Sequence, residues 1–349
     1  MEEQAGKRFS RQIALPQVGL GGQRRLAGAH AAVVGLGALG SISALLLTRA
    51  GVGRLTLIDR DVVELHNLPR QILFTEADAA RHLPKAEVAA RRLAEVDGGL
   101  DLQPQVVDLE ADNITRLLAG AAVVVDGTDN FETRYLLNDW AVARAVPWVY
   151  GGVFATEGLC LAVVPGRTPC LRCLYPIPPT STDLPSCESA GIWGPTVGQV
   201  AALQASAALQ LLLEGEAPRG LAVVDGWAGH IERLAVPGPD PGCPACGARR
   251  FEYLEEPAPA RTVRPCTDGS IRVRPSRTAR EEGIPPRVDL RELGRRLEGL
   301  VEDLVVHPSV VRFDADGCRM TIFQDGRAVV RGTEDPARAR TLYDRYVGS

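Results

Sequence analysis

The chain has 349 residues, of which 45% are hydrophobic and 23% are charged, and its formal net charge is −4. This is ordinary globular composition, long enough for two domains, and its acidic balance argues against a nucleic-acid-binding surface. The N-terminal residues 1–12 are polar and charged, so we expect no signal peptide, a cytoplasmic protein and reduced cysteines.

Strands and helices alternate in the predicted order of the first half of the chain. This order is one or two helices within 8–28, strand 31–34, helix 38–50, strand 54–58, helix 85–94, strands 103–107 and 121–125, helix 134–145, and strands 148–151 and 159–164. The alternation, with its apolar strands, predicts an α/β fold: a Rossmann-like, doubly wound, mainly parallel sheet.

The second half begins with a stretch rich in Pro, Ser and Thr, 176–191, which we predict to be a long mobile loop. A long apolar helix over 195–213 and strands at 221–225 and 231–236 follow. The stretches 31–48 and 193–213 lack charge, but glycines interrupt the first and glutamines at helical spacing mark the second. We therefore predict buried elements and no membrane span.

A change of composition near residue 255 predicts a domain boundary. Residues 255–261 are rich in Pro, Ala and Glu, as in a linker. We therefore expect a first domain over 1–254 and a small α+β C-terminal domain over 262–349. The second would contain helices at 290–297 and 337–347.

A Gly-x-Gly-x-x-Gly loop lies between the first predicted strand and the following helix. Gly35, Gly37 and Gly40 in this context predict that a nucleotide's phosphates bind at the helix N-terminus. Asp59, at the end of the second strand, is placed to accept hydrogen bonds from ribose hydroxyls. Asp61 lies two residues on and faces the same side of an extended chain, although it could instead be a solvated acid.

Several polar and basic residues follow this loop, namely Asn67, Arg70, Gln71 and Lys85. Only Lys7 and Lys85 are lysines among 39 basic residues, which hints that a compact ammonium matters at position 85. Each cation alone could be a surface charge. Together with the loop, they favour a reaction in which phosphate charge builds up, such as attack on ATP.

The strand at 121–125 leads into Thr128, Asp129 and Asn130. Ligands of open parallel sheets bind beyond the carboxyl ends of strands, so Asp129 can face the same crevice as Asp59. Its carboxylate suits the Mg²⁺ bound to ATP. The alternative, compatible with this role, is that Asp129 caps the next helix.

Two Cys-x-x-Cys motifs, Cys170/Cys173 and Cys243/Cys246, form the usual ligand set of a structural Zn²⁺ site. Redox activity of one pair is the alternative. Cys187, in the predicted mobile loop, is either a nucleophile or an idle thiol. Cys160, Cys266 and Cys318 are interpreted as packing residues.

Taken together, these motifs resemble the ThiF/MoeB/HesA family, the bacterial relatives of ubiquitin-activating enzymes. The motifs are Phe9-Ser10-Arg11-Gln12, Gly35-x-Gly37-x-x-Gly40, Asp59-x-Asp61, Asn67-x-x-Arg70-Gln71, Lys85, Thr128-Asp129-Asn130 and the paired Cys-x-x-Cys. The resemblance covers about residues 5–254. One departure is Ala38, where many members have glycine; an ordinary helical backbone suffices there. Residues 262–349 lie outside the resemblance and contain no rhodanese-like cysteine loop.

The resemblance implies a function: ATP-dependent adenylation of the C-terminal glycine of a small β-grasp sulfur-carrier protein ending in Gly-Gly. A sulfur donor, such as a cysteine desulfurase, would then convert the acyl-adenylate to a thiocarboxylate for thiamine, molybdopterin or another pathway.

The roles implied for single residues follow the same resemblance. Asp59 would bind ribose, and Asn67, Arg70 and Lys85 would contact phosphate. Asp129 would bind Mg²⁺, Arg11 would reach the ATP site of the partner subunit in a homodimer, and Cys187 would handle the carrier or sulfur.

Two other functions remain open at this stage. A nicotinamide-dependent oxidoreductase would use the loop and Asp59, but would leave Arg70, Lys85 and Asp129 unexplained. A catalytically idle scaffold that binds a ubiquitin-like protein would need none of them. The nucleophile of the implied reaction is an ionised carboxylate, so no general base is expected, and none of the five histidines lies in a triad-like context.

Overall fold

The computed structural model of the protein describes residues 6–177, 191–255, 263–265, 270–273 and 288–348. The predicted loop around Cys187, most of the predicted linker and Cys266 therefore lie outside the described residues. The chain divides into two compact units, Met1–Pro257 and Ala258–Ser349.

An eight-stranded sheet forms the centre of the first unit. Its strands, numbered in chain order, are β1 His30–Val34, β2 Arg54–Ile58, β3 Asp101–Gln105, β4 Val123–Asp126, β5 Trp148–Phe154, β6 Glu157–Val163, β7 Leu221–Asp225 and β8 His230–Leu234. They lie in the order β3-β2-β1-β4-β5-β6-β7-β8. The first five in this order are parallel, and β6, β7 and β8 continue the sheet antiparallel. The predicted mainly parallel, doubly wound sheet is confirmed.

The helices of the first unit cover the sheet on both faces. They are Ser10–Ile13, Gly19–Gly28, Ala38–Ala50, Glu76–Ala80, Lys85–Val96, Ile114–Leu117, Phe131–Arg144, Leu171–Leu174, Gly194–Glu214 and Glu252–Glu255, with a 3₁₀ turn at Leu65–Asn67.

Alternation along β1 shows why two hydrophobic cores form. Ala31 and Val33 belong to the core under the helices Ala38–Ala50 and Gly194–Glu214. Ala32 and Val34 belong to the opposite core, under the helix Phe131–Arg144. Because successive strand side chains point to opposite faces, an all-apolar strand requires a helical layer on each side.

Within the described residues, Gly194–Glu214 is the one helix long and apolar enough to cross a membrane by length and composition. It packs on the helix Ala38–Ala50 and on β5 and β6. Val197, Val200 and Ala208 are fully buried there. These contacts explain its apolar composition, and it is a helix of the protein core.

The second unit is built on a six-stranded antiparallel sheet. Its strands are β9 Val263–Pro265, β10 Ile271–Val273, β11 Glu302–His307, β12 Val310–Ala315, β13 Cys318–Phe323 and β14 Ala328–Arg331, in the order β11-β12-β13-β14-β10-β9. The helices Leu290–Leu297 and Pro336–Tyr346 contribute Leu293, Leu297 and Leu342 to its core. The predicted small α+β architecture is confirmed.

Candidate active site

The glycine loop is held by contacts that only glycine permits. Gly35 follows β1 with φ +82°, and a Cβ there would lie 2.7 Å from the carbonyl carbon of Gly127. A Cβ on Gly40 would lie 1.8 Å from the carbonyl oxygen of Gly35. The chain thus turns tightly from β1 into the helix Ala38–Ala50. Gly37, its N-cap, has no side chain to cap the first-turn N–H groups, which suits anion binding.

The glycine loop lies where the sheet reverses its winding direction. β1 has β2 on one side and β4 on the other, and Gly127, which follows β4, touches Gly35. Crevices at such switch points bind ligands in open α/β sheets. The predicted residues that follow β1, β2 and β4 therefore face one crevice.

Asp59 connects the loop to the end of β2. Its Oδ2 accepts a hydrogen bond from the Leu36 amide at 2.6 Å, and its Oδ1 accepts one from the Asp61 amide at 2.7 Å. Burial raises the pKa of Asp59 above its ordinary 3.8, while the charge of Lys85 opposes this rise. Each carboxylate oxygen keeps a second lone pair, so the side chain can still accept ribose hydroxyls.

Lys85 is a buried cation at the first position of the helix Lys85–Val96. Its backbone amide donates to the Asp61 carbonyl at 2.9 Å, and its Nζ lies 3.5 Å from Asp61 Oδ2. Burial alone would lower the pKa of Lys85, but the charges of Asp61, Asp59, Asp129 and Glu64 outweigh burial and raise it. The lysine therefore stays charged in a cluster of carboxylates beside the glycine loop.

The segment from Asn67 to Gln71 forms a turn beside the glycine loop. Asn67 Oδ1 accepts from the Glu64 amide at 3.1 Å, and the Arg70 guanidinium donates to the His66 carbonyl at 2.7 Å. Gln71 is buried, and its Nε2 lies 3.7 Å from a Cβ built on Gly37. The structure thus brings Gln71 against the loop, while Asn67 shapes the turn that carries Arg70.

The segment after β4 places Thr128, Asp129 and Asn130 at the same edge of the sheet. The Thr128 amide and hydroxyl both donate to Asp126 Oδ1, at 2.9 and 2.6 Å. Asn130, and not Asp129, is the N-cap of Phe131–Arg144, because its Oδ1 accepts from the Thr133 amide at 2.9 Å. The capping role considered for Asp129 is therefore wrong. Asp129 is exposed, and its charge acts on Lys85.

Arg11 lies apart from this crevice in its own chain. It is exposed in the helix Ser10–Ile13, and the neighbouring Gln12 donates to the Ala50 carbonyl at 2.9 Å. Ala50 ends the helix that the glycine loop begins. Thirteen helical residues span about 20 Å, so Arg11 and the loop lie near opposite ends of one helix.

The two Cys-x-x-Cys motifs meet in one cluster. The Sγ atoms of Cys170, Cys173, Cys243 and Cys246 all lie within 4.8 Å of one another, with Cys170–Cys243 at 3.6 Å and Cys173–Cys246 at 3.3 Å. Thiolates about 2.3 Å from a tetrahedral Zn²⁺ would be about 3.8 Å apart, so the residues fit this ion.

The thiols of the cluster differ in pKa: burial and the neighbouring cysteines raise the pKa of Cys170 and of Cys246. Burial works to raise the pKa of Cys243, but backbone N–H donors at Cys246 and Ala245 outweigh it and lower the pKa. Among the described residues, this is the one cluster of Cys, His, Asp and Glu that could hold a metal ion. Four thiolates would complete a structural site and leave no position for a catalytic water.

The helix Phe131–Arg144 anchors both halves of the cysteine cluster. Asn138 Oδ1 accepts from the Leu171 amide at 2.8 Å, beside the first motif. Asp139 Oδ2 accepts from the Tyr253 amide at 3.1 Å, beyond the second. Arg172 joins the two halves through Glu252 Oε2, at 2.9 Å from its guanidinium. A metal here would link the two segments that these hydrogen bonds hold against the helix Phe131–Arg144.

The profile of the ThiF family matches residues 9–245, which include the glycine loop, the carboxylate–lysine cluster and three of the four cysteines. The chain belongs to the ThiF family. The family named by the sequence motifs is thereby confirmed.

Two curated relatives align with large parts of the chain. The "Sulfur carrier protein ThiS adenylyltransferase" of Bacillus subtilis is 37% identical over 342 residues, which cover 98% of this chain and 99% of that protein. The "SAMP-activating enzyme E1" of Haloferax volcanii is 38% identical over 251 residues, 71% of this chain and 92% of that protein. The Bacillus alignment also extends into the second unit, so this unit is not confined to the present chain.

The fold of this chain also resembles that of solved structures. A crystal structure of E. coli MccB with ATP superposes with a TM-score of 0.57 at 22% identity, over 64% of this chain and 68% of that chain. At this identity the likeness concerns the fold alone.

The ThiF crevice also contains an ion pair that sequence reasoning missed. Arg134 Nε lies 3.1 Å from Asp126 Oδ2, and both side chains are buried. Arg134 also donates to the carbonyls of Thr128, at 2.6 Å, and Gly151, at 3.1 Å. Gln204 donates to the Asp126 carbonyl at 2.6 Å. This network joins the end of β4 to the middle of β5 and shapes the segment that carries Asp129. Asp126, a charged residue at the end of the apolar strand β4, was its one sequence signal.

Proposed function

We propose that this ThiF-family protein is an adenylyltransferase that uses ATP to activate the C-terminal glycine of a small β-grasp sulfur-carrier protein. The names of the Bacillus and Haloferax relatives support this reaction type and a carrier of the ThiS or SAMP kind. ThiS-like and MoaD-like carriers, and so thiamine and molybdopterin pathways, are both compatible with it.

One observation supports the proposal most strongly: a buried, charged lysine beside an uncapped helix N-terminus. Lys85 stays protonated because the negative charges of Asp61, Asp59, Asp129 and Glu64 raise its pKa despite its burial. A fixed cation that faces the phosphate chain stabilises the negative charge that grows on the α-phosphate during attack. A dehydrogenase would bind its pyrophosphate at the same loop without needing this cation.

The chemistry proposed for the crevice needs positioning and charge neutralisation. An oxygen of the carrier's C-terminal carboxylate attacks the α-phosphorus of ATP, and the bond from this phosphorus to the bridging oxygen of pyrophosphate breaks. No proton moves, because the nucleophile is already ionised. Lys85 neutralises the α-phosphate, and Arg70 and Asn67 hold the phosphate chain. Mg²⁺ bound with ATP would be held by Asp129.

Asp59 and the loop residues complete the proposed nucleotide site. Asp59 binds the ribose, and Asp61 and Gln71 support the walls of the crevice. The backbone around Gly35, Gly37, Ala38 and Gly40 binds phosphate, and Thr128 and Asn130 position Asp129. We also propose that the four cysteines bind a structural Zn²⁺.

The position of Arg11 supports a homodimer with composite sites. Because about 20 Å of helix separates Arg11 from its own glycine loop, we propose that it acts in the partner subunit's site.

We further propose that Cys187 acts after adenylation, that a sulfur donor such as a cysteine desulfurase supplies the sulfur, and that the enzyme is cytoplasmic.

We also propose a division of the chain into two domains and a linker. Residues 1–254 would form the adenylyltransferase domain and 255–261 a linker. Residues 262–349 would form a C-terminal α+β domain.

Carrier-dependent exchange between ATP and radiolabelled pyrophosphate tests the function. The wild-type protein should catalyse exchange only with a β-grasp protein ending in Gly-Gly, and removal of the terminal glycine should abolish it. Asp129→Ala should lose exchange. Asp101→Ala is the control, because Asp101 lies at the amino-terminal end of β3, whereas the crevice lies at the carboxyl ends of the parallel strands. Absence of exchange with every such carrier would favour a catalytically idle scaffold instead. Reduction of a nicotinamide would favour an oxidoreductase.

A further inference from the structure

Two tryptophans form an exposed aromatic pair in the first unit. Trp227 is 74% exposed and Trp193 is 43% exposed, and their ring centroids are 5.5 Å apart. The other two tryptophans of the chain, Trp140 and Trp148, are buried. Exposed Trp pairs are costly in water and commonly mark surfaces that bind another molecule.

The aromatic pair lies at the edge of the sheet that carries the glycine loop. β5 runs parallel to β1 and β4 and ends at Phe154, which is itself exposed. β7 ends at the same edge, because it is antiparallel to β6, and Trp227 follows it by two residues. The Trp193 amide donates to the Ala155 carbonyl at 2.8 Å, which holds the second ring beside this edge.

The pair also adjoins the segment that carries Arg70. A Cβ built on Gly194, the residue after Trp193, would lie 3.3 Å from the Pro69 carbonyl oxygen. The start of the helix Gly194–Glu214 thus touches the wall of the crevice. The tryptophans therefore lie next to the segment that carries Arg70.

We propose that Trp193 and Trp227 are the platform on which the folded body of the carrier protein docks through an apolar face next to its C-terminal tail. This inference rests on the proposed function. A Gly-Gly tail has no side chains to pack on two indole rings, so the rings must meet residues that lie further from the carrier's C-terminus. The pair therefore selects carriers by the apolar face that they present.

A second copy of the chain is the other occupant to consider. A copy bound on the tryptophans would cover the mouth of the crevice and block the entry of the carrier's terminus. Turnover requires this mouth to open for each carrier, so a stable dimer through the pair conflicts with the reaction.

Collisional quenching by iodide measures the docking without turnover, because the two exposed tryptophans dominate the quenchable fluorescence. The probe is a recombinant β-grasp protein ending in Gly-Gly that contains no tryptophan. We expect the carrier to protect the fluorescence. Trp227→Ala should raise the Kd of the carrier about 30-fold, as for a central interface tryptophan. Trp227→Phe should recover most of the loss. Leu234→Ala, an exposed apolar residue at the far end of β8, should change Kd less than twofold.

Kinetics separate this proposal from the proposed function. In pyrophosphate exchange, Trp227→Ala should raise the KM for carrier and leave both kcat and ATP affinity unchanged. A wild-type protein that exchanges, together with a Trp227→Ala variant of normal carrier Kd, would overturn the platform and leave the function standing. A Trp227→Ala protein that changes from dimer to monomer would show a self-association surface instead and would also overturn it. A wild-type protein without exchange would refute the function itself.

Discussion

Replacement of Lys85 by alanine tests the centre of the proposed mechanism. The residue is 7% exposed, and four carboxylates beside the glycine loop act on its ammonium group. One preorganised group aimed at developing charge contributes roughly 3–4 kcal/mol, or about a hundred- to a thousandfold in rate. We therefore expect Lys85→Ala to lower kcat for carrier-dependent pyrophosphate exchange by at least about a hundredfold.

Lys85→Arg should not restore this activity. The guanidinium is larger and planar, whereas the lysine fills a buried position against Asp61. Lys7→Ala is the matched control, because it removes the only other lysine of the chain, an exposed one. Circular dichroism of both variants should match wild type. Near-normal exchange by a folded Lys85→Ala protein would refute the assignment.

Lys85→Ala should also change how the stability of the protein depends on pH. Loss of Lys85 removes the charge that opposes the rise in the pKa of Asp59, so this pKa moves further above 3.8 in the folded state. A carboxyl with a higher pKa in the folded than in the unfolded state makes folding less favourable as the pH rises above 3.8. The stability deficit of the variant against wild type, measured by urea unfolding, should therefore be larger at neutral than at mildly acidic pH.

Three further outcomes are expected. Purified protein should contain one zinc per chain by elemental analysis, and Cys246→Ser should lower Tm far more than it lowers ATP affinity. Cys160→Ser, at a buried cysteine outside the cluster, should keep the metal; metal-free protein of normal stability would contradict the zinc assignment. A mixture of Arg11→Ala and Lys85→Ala subunits should recover part of the lost exchange, because a heterodimer regenerates one intact site; no recovery after proven subunit exchange would place Arg11 elsewhere. Cys187→Ser should retain pyrophosphate exchange and slow thiocarboxylate formation, and outright loss of exchange would show that this cysteine serves adenylation.

Local sequence sufficed for elements that are buried on both sides or strongly amphipathic. The predicted bounds of β2, β7 and the helices 38–50 and 290–297 agree with the structure. β3 was displaced by two residues, at 101–105 instead of 103–107. It is an edge strand that contains Pro104, and its mixed burial leaves little apolar pattern to fix the register.

The sequence predicted the glycine loop and the cysteine cluster because both depend on short fixed spacings. The buried Asp126–Arg134 pair could not be found in this way. Asp126 ends an apolar strand and Arg134 lies in the next helix, and only the packed fold shows that they meet. The cap of that helix was also ambiguous, since Asp129 and Asn130 are both good capping residues. In the structure Asn130 is the N-cap, so the Asp129 carboxylate does not cap this helix.

That one-residue difference matters for the chemistry. A capping Asp129 would direct its oxygens to the amides of its own helix, which compete with a cation for the same lone pairs. Asn130 takes this task with a neutral amide oxygen, 2.9 Å from the Thr133 nitrogen. Arg134, on the next turn of the same helix, fixes the Thr128 carbonyl one residue before Asp129. The helix thus holds the backbone on both sides of Asp129 while the carboxylate remains exposed at the crevice, as a ligand for nucleotide-bound Mg²⁺ would require.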